Sequence, residues 1–503
     1  MEGQKEFYSS ITVQGLNLIF DGFLEQKSII NISNWVQGNG ILYSYGASNS
    51  SFNTGIGNDS INISATATSN WWDNNVAEKS TAIAFDKSIL NTGAGNDQIH
   101  LNANATGAET YAYGALDSII NTGLGDDNLH INANTNDNAY WDPAVGLSNT
   151  TLDLGAGADS LYLNANANGS GVLEAYGATN TTINTDDIYS PGGDDYISIN
   201  ASANGNWNWW DNNAAEKSNA IAFDKSILNT GAGNDQIHLN ANATGAETSA
   251  YGALDSIINT GLGNDNLHIY TSADKGGDVY GMLNSEIDSG SGDDNIHINV
   301  STNDSGSSKK GLYNSLISSG SGNDYISVSG NQNFSKDNSD FIVDSSHINS
   351  GSGNDYVNIF EGLLNSSINL GKGNDFLSVQ GGIENSFINA GKGKDTININ
   401  FNKKEKLKWW INKGTLVVKD KNTFSFITDW EKISLNTKKS STLISKKIAF
   451  KKKQLLGSHN SDWLVANKKS NKINAGSGDD WISSWANARK NIDSFLGGSG
   501  NDI

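Results

Sequence analysis

The 503 residues contain no cysteine, only 2 prolines, and a single arginine, Arg489. Without cysteine there is no disulfide framework, no zinc–thiolate site and no cysteine nucleophile. With almost no arginine and a formal net charge of −21, the chain lacks the clustered cations that phosphate-backbone binding needs, so no nucleic-acid partner is expected. Long apolar runs are missing as well. The best N-terminal stretch, Leu16 to Leu24, is broken by Asn17, Asp21 and Gly22, so neither a Sec-type signal peptide nor a transmembrane helix is expected.

What the chain does have is glycine and aromatic residues. The 55 glycines follow no three-residue period, and with so little proline a collagen helix is excluded. The 13 Trp, 16 Tyr and 16 Phe carry more aromatic surface than a disordered polar chain would, so the chain folds.

Internal repetition runs from about residue 50 to 400. The unit is Ser-x-Ile-x-Ser-Gly-x-Gly-(Asn/Asp)-Asp-x-Ile-x-Ile, as in Ser285 to Ile298, Ser315 to Val328 and Ser346 to Ile359. Its Gly-x-Gly-x-Asp centre occurs thirteen times. The first four are Gly55, Gly57 and Asp59; Gly93, Gly95 and Asp97; Gly123, Gly125 and Asp127; Gly155, Gly157 and Asp159. The next four are Gly231, Gly233 and Asp235; Gly261, Gly263 and Asp265; Gly290, Gly292 and Asp294; Gly320, Gly322 and Asp324. Then come Gly351, Gly353 and Asp355; Gly371, Gly373 and Asp375; Gly391, Gly393 and Asp395; Gly476, Gly478 and Asp480; Gly498, Gly500 and Asp502. A degenerate copy, Gly193 with Asp195, has Pro191 where the first glycine belongs.

A second motif, Gly-x-x-(Asn/Asp)-Ser, lies between these centres at Gly46, Gly114, Gly252, Gly281, Gly311, Gly362 and Gly382. Around both, apolar and polar residues alternate: Ile99, Leu101 and Ala103 interleave with His100, Asn102 and Asn104, the two-residue period of a half-buried strand. Strand, turn, strand, turn makes one coil, and the 20-residue spacing of Asp355, Asp375 and Asp395 fits two five-residue strands with two turns. Ala105 has Thr135 as its counterpart, so the inward pattern is expected to fade there. Residues 70–131 and 208–269 match at 58 of 62 positions. Duplication of whole coils preserves stacking register, which a solenoid tolerates and a globular core does not. The fold class is thus all-β, a right-handed parallel β-roll or β-solenoid with one Gly-x-Gly-x-Asp turn per coil.

The expected organisation is an N-terminal cap or first coil over 1–50, the solenoid over 51–400, a Lys-rich small β domain over 401–472, and further repeats over 473–503 that stop mid-repeat. From Phe401 to Ala475 there are 18 Lys against 5 acidic residues, and short strands are expected at Gly414–Val418 and Thr423–Ile427. That segment is expected to be a separate unit capping the solenoid.

Gly-x-Gly-Asn-Asp turns the backbone tightly and is expected to leave carbonyls pointing outward, with one carboxylate just before the next strand. Coils stacked about 4.8 Å apart align those carboxylates in a column, where neighbouring charges repel by roughly 3 kcal/mol at an effective dielectric of 20. The motif makes good turns without metal, but thirteen retained aspartates at a position where stacking makes charge costly require a counter-ion. Hard divalent cations held by carboxylate and carbonyl oxygens supply it, and oxygen ligands of this flexibility suit Ca²⁺.

Thr92-Gly93-Ala94-Gly95-Asn96-Asp97-Gln98-Ile99-His100 and its relatives resemble the nonapeptide of the repeats-in-toxin (RTX), or haemolysin-type calcium-binding, proteins. The resemblance covers roughly 50–400 and 473–503. It implies a parallel β-roll in which the turn glycine carbonyls and the motif Asp bind Ca²⁺ between coils, and export through a one-step type I channel with calcium-driven folding outside the cell. The segment Ile427-Thr428-Asp429-Trp430-Glu431-Lys432-Ile433 is similar to the short β unit that often accompanies such repeats. Only one turn per coil carries the motif here, so a single row of ions is expected. Ala158 and Lys394 replace the residue before the motif Asp, and Lys372 and Lys392 enter neighbouring turns, which predicts weaker binding near Asp375 and Asp395.

Five of the seven histidines, His100, His130, His238, His268 and His297, share the slot three residues after the motif Asp and face outward. Exposed strand positions explain them, although a ladder of such imidazoles also suits a transition metal. Trp-rich segments at Asn70 to Asn75, Trp207 to Asn213 and Tyr140 to Asp142 suit stacking on sugar rings. The expected function is therefore calcium binding by a secreted or cell-surface protein, with surface glycans as an alternative partner through these loops. A polysaccharide-modifying enzyme or a toxin fragment is the weaker alternative, because no His-Glu-x-x-His, Gly-x-Ser-x-Gly or Walker motif is present and no catalytic residues are assigned.

Overall fold

A computed structural model describes residues 17–21, 27–69, 79–137, 141–186, 192–205, 217–303, 308–331, 341–401, 407–412, 415–420, 423–437 and 441–445, with five further strands between 454 and 496. The described residues form strands and no helix, so no helix is long and apolar enough to cross a membrane. The chain divides into two units, 1–311 with 331–335, and 312–330 with 336–503.

In the first unit each coil contributes three strands to three parallel sheets. The wide sheet holds long strands such as Gln98–Gly107, Asn128–Asp137, Ser160–Gly169 and Tyr196–Gly205. The second sheet holds strands of eight residues, such as Lys79–Asp86, Glu109–Leu116 and Val172–Thr179. The narrow sheet holds three-residue strands, such as Ile89–Asn91, Ile119–Asn121 and Thr151–Asp153. The architecture is the expected all-β parallel solenoid, but with three sides where the sequence reading counted two. The two turns read from the sequence are both there, and the third corner joins the wide sheet to the second, as between Gln98–Gly107 and Glu109–Leu116, where no repeated motif marks it. At the corner from the second sheet into the narrow one, the Asn or Asp of Gly-x-x-(Asn/Asp)-Ser takes left-handed φ, 49° at Asn49, 50° at Asp117 and 52° at Asn284. That conformation is one that Asn and Asp tolerate better than other side chains.

Register is held residue for residue: Ile99 pairs with Leu129, Leu129 with Leu161 and Leu161 with Ile197. These rows, and the adjacent row Leu101, Ile131, Leu163 and Ile199, are fully buried. Each such side chain contributes about 1.5–3 kcal/mol when buried. Where the second sheet crosses this ladder, glycine makes room for a β-branched neighbour, since a Cβ on Gly114 would lie 2.2 Å from Cγ2 of Ile131, and in two other coils Ala84 and Ala222 take the place. The inward pattern does not fade at Thr135. It pairs with Ala105 and Ala167 and is fully buried, and a Thr methyl occupies the space an Ala methyl fills in the neighbouring coils.

The second unit repeats the plan with shorter strands, such as His347–Asn349, Tyr356–Ile359 and Leu363–Leu364. Its Lys-rich segment is part of the same stack within that unit. Thr423–Thr428 pairs in parallel with Phe387–Asn389, and Lys432–Asn436 pairs in parallel with Thr396–Asn400. Thr415–Asp420, Lys408–Asn412 and Ser441–Ser445 then add antiparallel and close the ladders. The two expected strands are there, as Thr415–Asp420 and Thr423–Thr428. Toward the C-terminus, Lys472–Asn474 pairs in parallel with Gln454–Leu456 and Ser494–Leu496.

Candidate cation site

Each coil turns from the narrow sheet into the wide sheet at the Gly-x-Gly-x-Asp corner. The first glycine of each described full motif has φ near +90°, as at Gly93 with 95°, and a Cβ there would lie 1.9 Å from the Gly55 carbonyl oxygen. No other residue fits. The carbonyls do not point free into solvent as expected. The Gly55 oxygen accepts the Ala94 N–H at 3.1 Å, and the Ala94 oxygen accepts the Gly57 N–H at 2.6 Å. The same pair of bonds recurs upward, with Gly93 accepting from Leu124 at 2.8 Å and Gly351 accepting from Lys372 at 2.9 Å. Flat stacking of the turns brings these groups within reach, so one lone pair of each such carbonyl is already used.

The second glycines need the same correction. The carbonyl oxygens of Gly57, Gly95, Gly125, Gly157, Gly233, Gly263, Gly322, Gly353 and Gly373 lie against the backbone of the following coil instead of opening outward. A Cβ on Gly95, Gly125, Gly157, Gly193, Gly263, Gly292, Gly353, Gly373 or Gly393, in the same order, would strike them. Their amides are engaged too: Gly125 N–H donates to Ala156, Gly233 to Leu262, Gly263 to Ser291 and Gly322 to Ser352, each at 2.8 Å. In the last two described motifs this strip is regular sheet, Gly373 pairing in parallel with Gly393. Close approach of successive turns is thus the reason for the second glycine, and an outward fan of carbonyl ligands is not what these positions present.

The motif aspartates are 0–2% exposed and form a continuous side-chain ladder in each unit. In the first unit Asp59 N–H donates to Asp97 Oδ1 at 2.7 Å, Asp97 to Asp127 at 2.8 Å, Asp127 to Asp159 at 2.8 Å and Asp159 to Asp195 at 2.8 Å. Asp195, Asp235 and Asp265 continue it up to Asp294. In the second unit Asp324 donates to Asp355, Asp355 to Asp375 and Asp375 to Asp395, each at 2.9–3.0 Å. Asp395 N–H then donates to Glu431 Oε2 at 3.1 Å. Glu431 is a site residue the sequence reading missed. It lacks the glycine signature, yet Asp429 has φ 53° and Trp430 is buried, so this segment is a last, degenerate coil.

A second ladder runs the other way on the exposed side of the turn. Asn96 N–H donates back to Asn58 Oδ1 at 2.9 Å, Asp126 to Asn96 at 3.1 Å and Ala158 to Asp126 at 3.0 Å. The pair (Asn/Asp)-Asp thus binds the coil on either side. Lys394 closes this ladder by donating its N–H to Asn374 at 3.1 Å.

One oxygen of the motif carboxylate remains. Oδ2 of Asp59, Asp97, Asp127, Asp159, Asp235, Asp355, Asp375 and Asp395 is buried without a hydrogen-bond partner. Threonine five residues earlier lies beside it and holds the pKa down, yet the Thr54 hydroxyl donates to the Thr92 carbonyl at 3.2 Å and the Thr122 hydroxyl to the Leu154 carbonyl at 2.6 Å. At Asp195 and Asp265 the hydroxyls of Thr185 and Thr260 turn to Oδ2 instead.

Burial, more than any neighbour, pushes these carboxyls up, to about 6 at Asp59 and about 7 at Asp127, Asp235 and Asp375. Asp159 reaches about 9, through burial first and then the charges of Asp127, Asp195 and Asp186, and with Leu154 in the threonine slot no hydroxyl opposes the rise. Lys372, Lys392 and Lys394 stand in solvent. They therefore do not meet the buried carboxylates of Asp375 and Asp395, and the proposed reason for weaker binding there loses its direct contact.

An orphaned carboxyl oxygen at nearly every coil, able to meet either a proton or a positive charge, fits a hard cation. Among the described residues no three His, Asp or Glu side chains converge to hold a metal. Any ion here would draw on Oδ2 atoms of successive coils, corner hydroxyls such as Thr92 and Thr122, and the second lone pairs of turn carbonyls. Gly476, Gly478, Asp480, Gly498, Gly500 and Asp502 lie outside the described residues, as do Trp71, Trp72, Trp209 and Trp210 and the side chain of Trp141. No protein-family profile and no curated protein matches the chain.

Proposed function

We propose that the chain is a calcium-binding β-solenoid of a secreted or cell-surface protein, in which Ca²⁺ neutralises the aspartate column and stiffens the stack. The observation that carries this reading is the unpartnered Oδ2. A backbone ladder needs only one acceptor per coil, so the second carboxylate oxygen is surplus and costly unless a proton or a cation meets it. Bound Ca²⁺ would supply the positive charge that allows neighbouring carboxylates to stay ionised. The protein's own part is to fix Oδ1 to the adjacent coil and so present Oδ2 in a row.

The sequence resemblance supports the same reading, including folding after export. Because the ion binds the folded form, its binding energy adds to stability. Calcium titrated into chelator-stripped protein at neutral to alkaline pH, followed by far-ultraviolet circular dichroism and melting, tests it. A cooperative gain of β signal or melting temperature at about 10⁻⁴ to 10⁻³ M is expected, the range of extracellular modules. A chain folded in chelator that calcium leaves unchanged overturns the proposal.

A further inference from the structure

The three sides of the first unit differ in charge. The wide sheet there comprises nine strands: Ile29–Gly38, Ser60–Ser69, Gln98–Gly107, Asn128–Asp137, Ser160–Gly169, Tyr196–Gly205, Gln236–Thr244, Asn266–Ala273 and Asn295–Thr302. Apart from Asp137, the last residue of its strand, none of these residues is Asp, Glu, Lys or Arg. The second sheet, by contrast, carries Lys79, Glu109, Glu174, Lys217, Glu247 and Asp278. In a chain of net charge −21, a neutral face about 40 Å long and 30 Å wide is a specific feature.

Its outward residues stand in rows about 4.8 Å apart along the stack and about 6.7 Å apart along each strand. One row is amide: Asn102, Asn132, Asn164, Asn200 and Asn240, with the Nδ2 of each after the first donating to the preceding Oδ1 at 2.7–3.0 Å. At Asn132, Asn164 and Asn240 that bond uses one of the two amide protons, leaving a donor and a carbonyl lone pair for a ligand, whereas Asn200 also donates to Ser198 Oγ at 3.2 Å. A parallel row is aromatic. His100, His130 and Tyr162 stack with centroids 5.0 and 4.5 Å apart, and His238 stacks on His268 at 5.3 Å. At the coil where Ser198 occupies this slot, Tyr196 leans across to meet Tyr162 at 5.3 Å and His238 at 5.6 Å, so the row is unbroken. Among these amides and hydroxyls two large rings stay open to solvent, Trp35 at 63% and Tyr270 at 47%.

We infer that this face docks a neutral polysaccharide. Planar amides at fixed spacing match pairs of sugar hydroxyls, and exposed rings match the apolar faces of pyranoses. The absence of cations disfavours nucleic acid and anionic glycans, and the scarcity of exposed aliphatic side chains leaves no apolar centre on which a protein partner or a second copy could close. The inference does not rest on calcium binding, and it is argued from strand residues of the wide sheet and not from the Trp-rich segments.

The test is cosedimentation of the full chain, in millimolar calcium and with folding checked by circular dichroism, with insoluble cellulose, chitin and β-1,3-glucan, and with alginate gel as an anionic control. Retention on at least one neutral polymer that persists in high salt is expected. Ser202→Lys with Ser272→Lys places two cations on the face without touching the buried rows, and Trp35→Ala with Tyr270→Ala removes the open rings. Each pair should weaken retention by about ten-fold or more with melting unchanged. Retention on no neutral polymer by the folded chain, retention on alginate alone, or retention that both folded variants keep would each overturn the inference. Self-association abolished by the same variants, with no polymer bound, would also overturn it in favour of a second copy.

Discussion

Two corners of each coil solve the same backbone problem with different residues. At the corner from the second sheet into the narrow one, Ser50 N–H donates to Ser88 Oγ at 2.9 Å and Ser226 N–H to Ser256 Oγ at 3.1 Å. Each hydroxyl then donates to a carbonyl two residues earlier in its own coil, at 2.7 Å for Ser88 and Ser256. One oxygen accepts, one proton donates, and no second oxygen or charge is left over. At the opposite corner the motif Asp makes the same inter-coil bond and leaves Oδ2 buried without a partner. Serine shows that the ladder itself needs no charge. The aspartates therefore add a chemical capacity that the ladder does not require, and calcium, pH and substitution should each act differently on the two corners.

Calcium removal should have the largest effect. At about 100 times its Kd, each occupied site adds about 2.7 kcal/mol, so several sites in one stack shift the melting temperature strongly. Calorimetry in chelator and in calcium measures this, and no difference at pH 8 would reduce the aspartate corner to a proton-filled version of the serine one. The pH dependence in chelator comes next. The folded pKa values are raised above the usual carboxylate range, so the folded state holds protons that the unfolded chain has lost. The contribution of these groups without calcium is then greatest below about pH 4, the unfolded carboxylate value, and declines as pH rises from there until it is lost at about 6 to 9, the folded values at Asp59 and Asp159. Calcium should reverse that decline, and its effect should shrink toward pH 5, where protons occupy the column.

Single substitutions sharpen the contrast. Asp127→Asn keeps an acceptor for the Asp97 N–H while the amide replaces Oδ2 and removes the charge. In chelator above pH 7 it should stabilise by about 1–3 kcal/mol, the scale of an unsatisfied buried group, whereas in calcium it should destabilise by forfeiting a ligand. Ser256→Ala leaves the Ser226 N–H unpaired and should destabilise by about 1–3 kcal/mol at every pH, with or without calcium. Denaturant titrations in the four conditions decide between a sign change at one corner and a constant loss at the other.

Much of this was legible in the sequence. The Gly-x-Gly-x-Asp spacing placed the turns, and the alternation at Ile99, Leu101 and Ala103 placed the inward rows of the wide sheet. Two things were not. The third side was hidden because its corner, between the wide and second sheets, carries no recurring motif: it falls between Gly107 and Glu109 in one coil, Gly169 and Val172 in another, and Thr244 and Glu247 in a third. The direction of the turn's oxygens was hidden because spacing fixes a residue's face but not its partner. Glycine carbonyls were expected outside, yet those of the first glycines are spent on neighbouring N–H groups and those of Gly125 and Gly353 face the next coil's backbone. The Asp that resembles a surface ligand is itself buried. Glu431 escaped notice because it takes the aspartate's place without any glycine in its turn.

The smallest expected effect tests whether the neutral corner is set by backbone conformation alone. Lys225 holds φ at 46°, where Asn149, Asn180 and Asn284 hold 49–52° in equivalent turns. A side chain with a Cβ pays roughly 1–2 kcal/mol in this region, and Asn recovers part of that through local hydrogen bonds. Equivalent Asn residues also bond along the stack, Asn149 Nδ2 to Asp117 Oδ1 at 3.1 Å and Asn284 Nδ2 to Asp255 Oδ1 at 2.9 Å. Lys225→Asn should therefore stabilise by about 0.5–1 kcal/mol, with no dependence on calcium, measured by the denaturation midpoint. A gain that appears only in calcium would mean the two corners are coupled through the coil, and the separation drawn between them would fail.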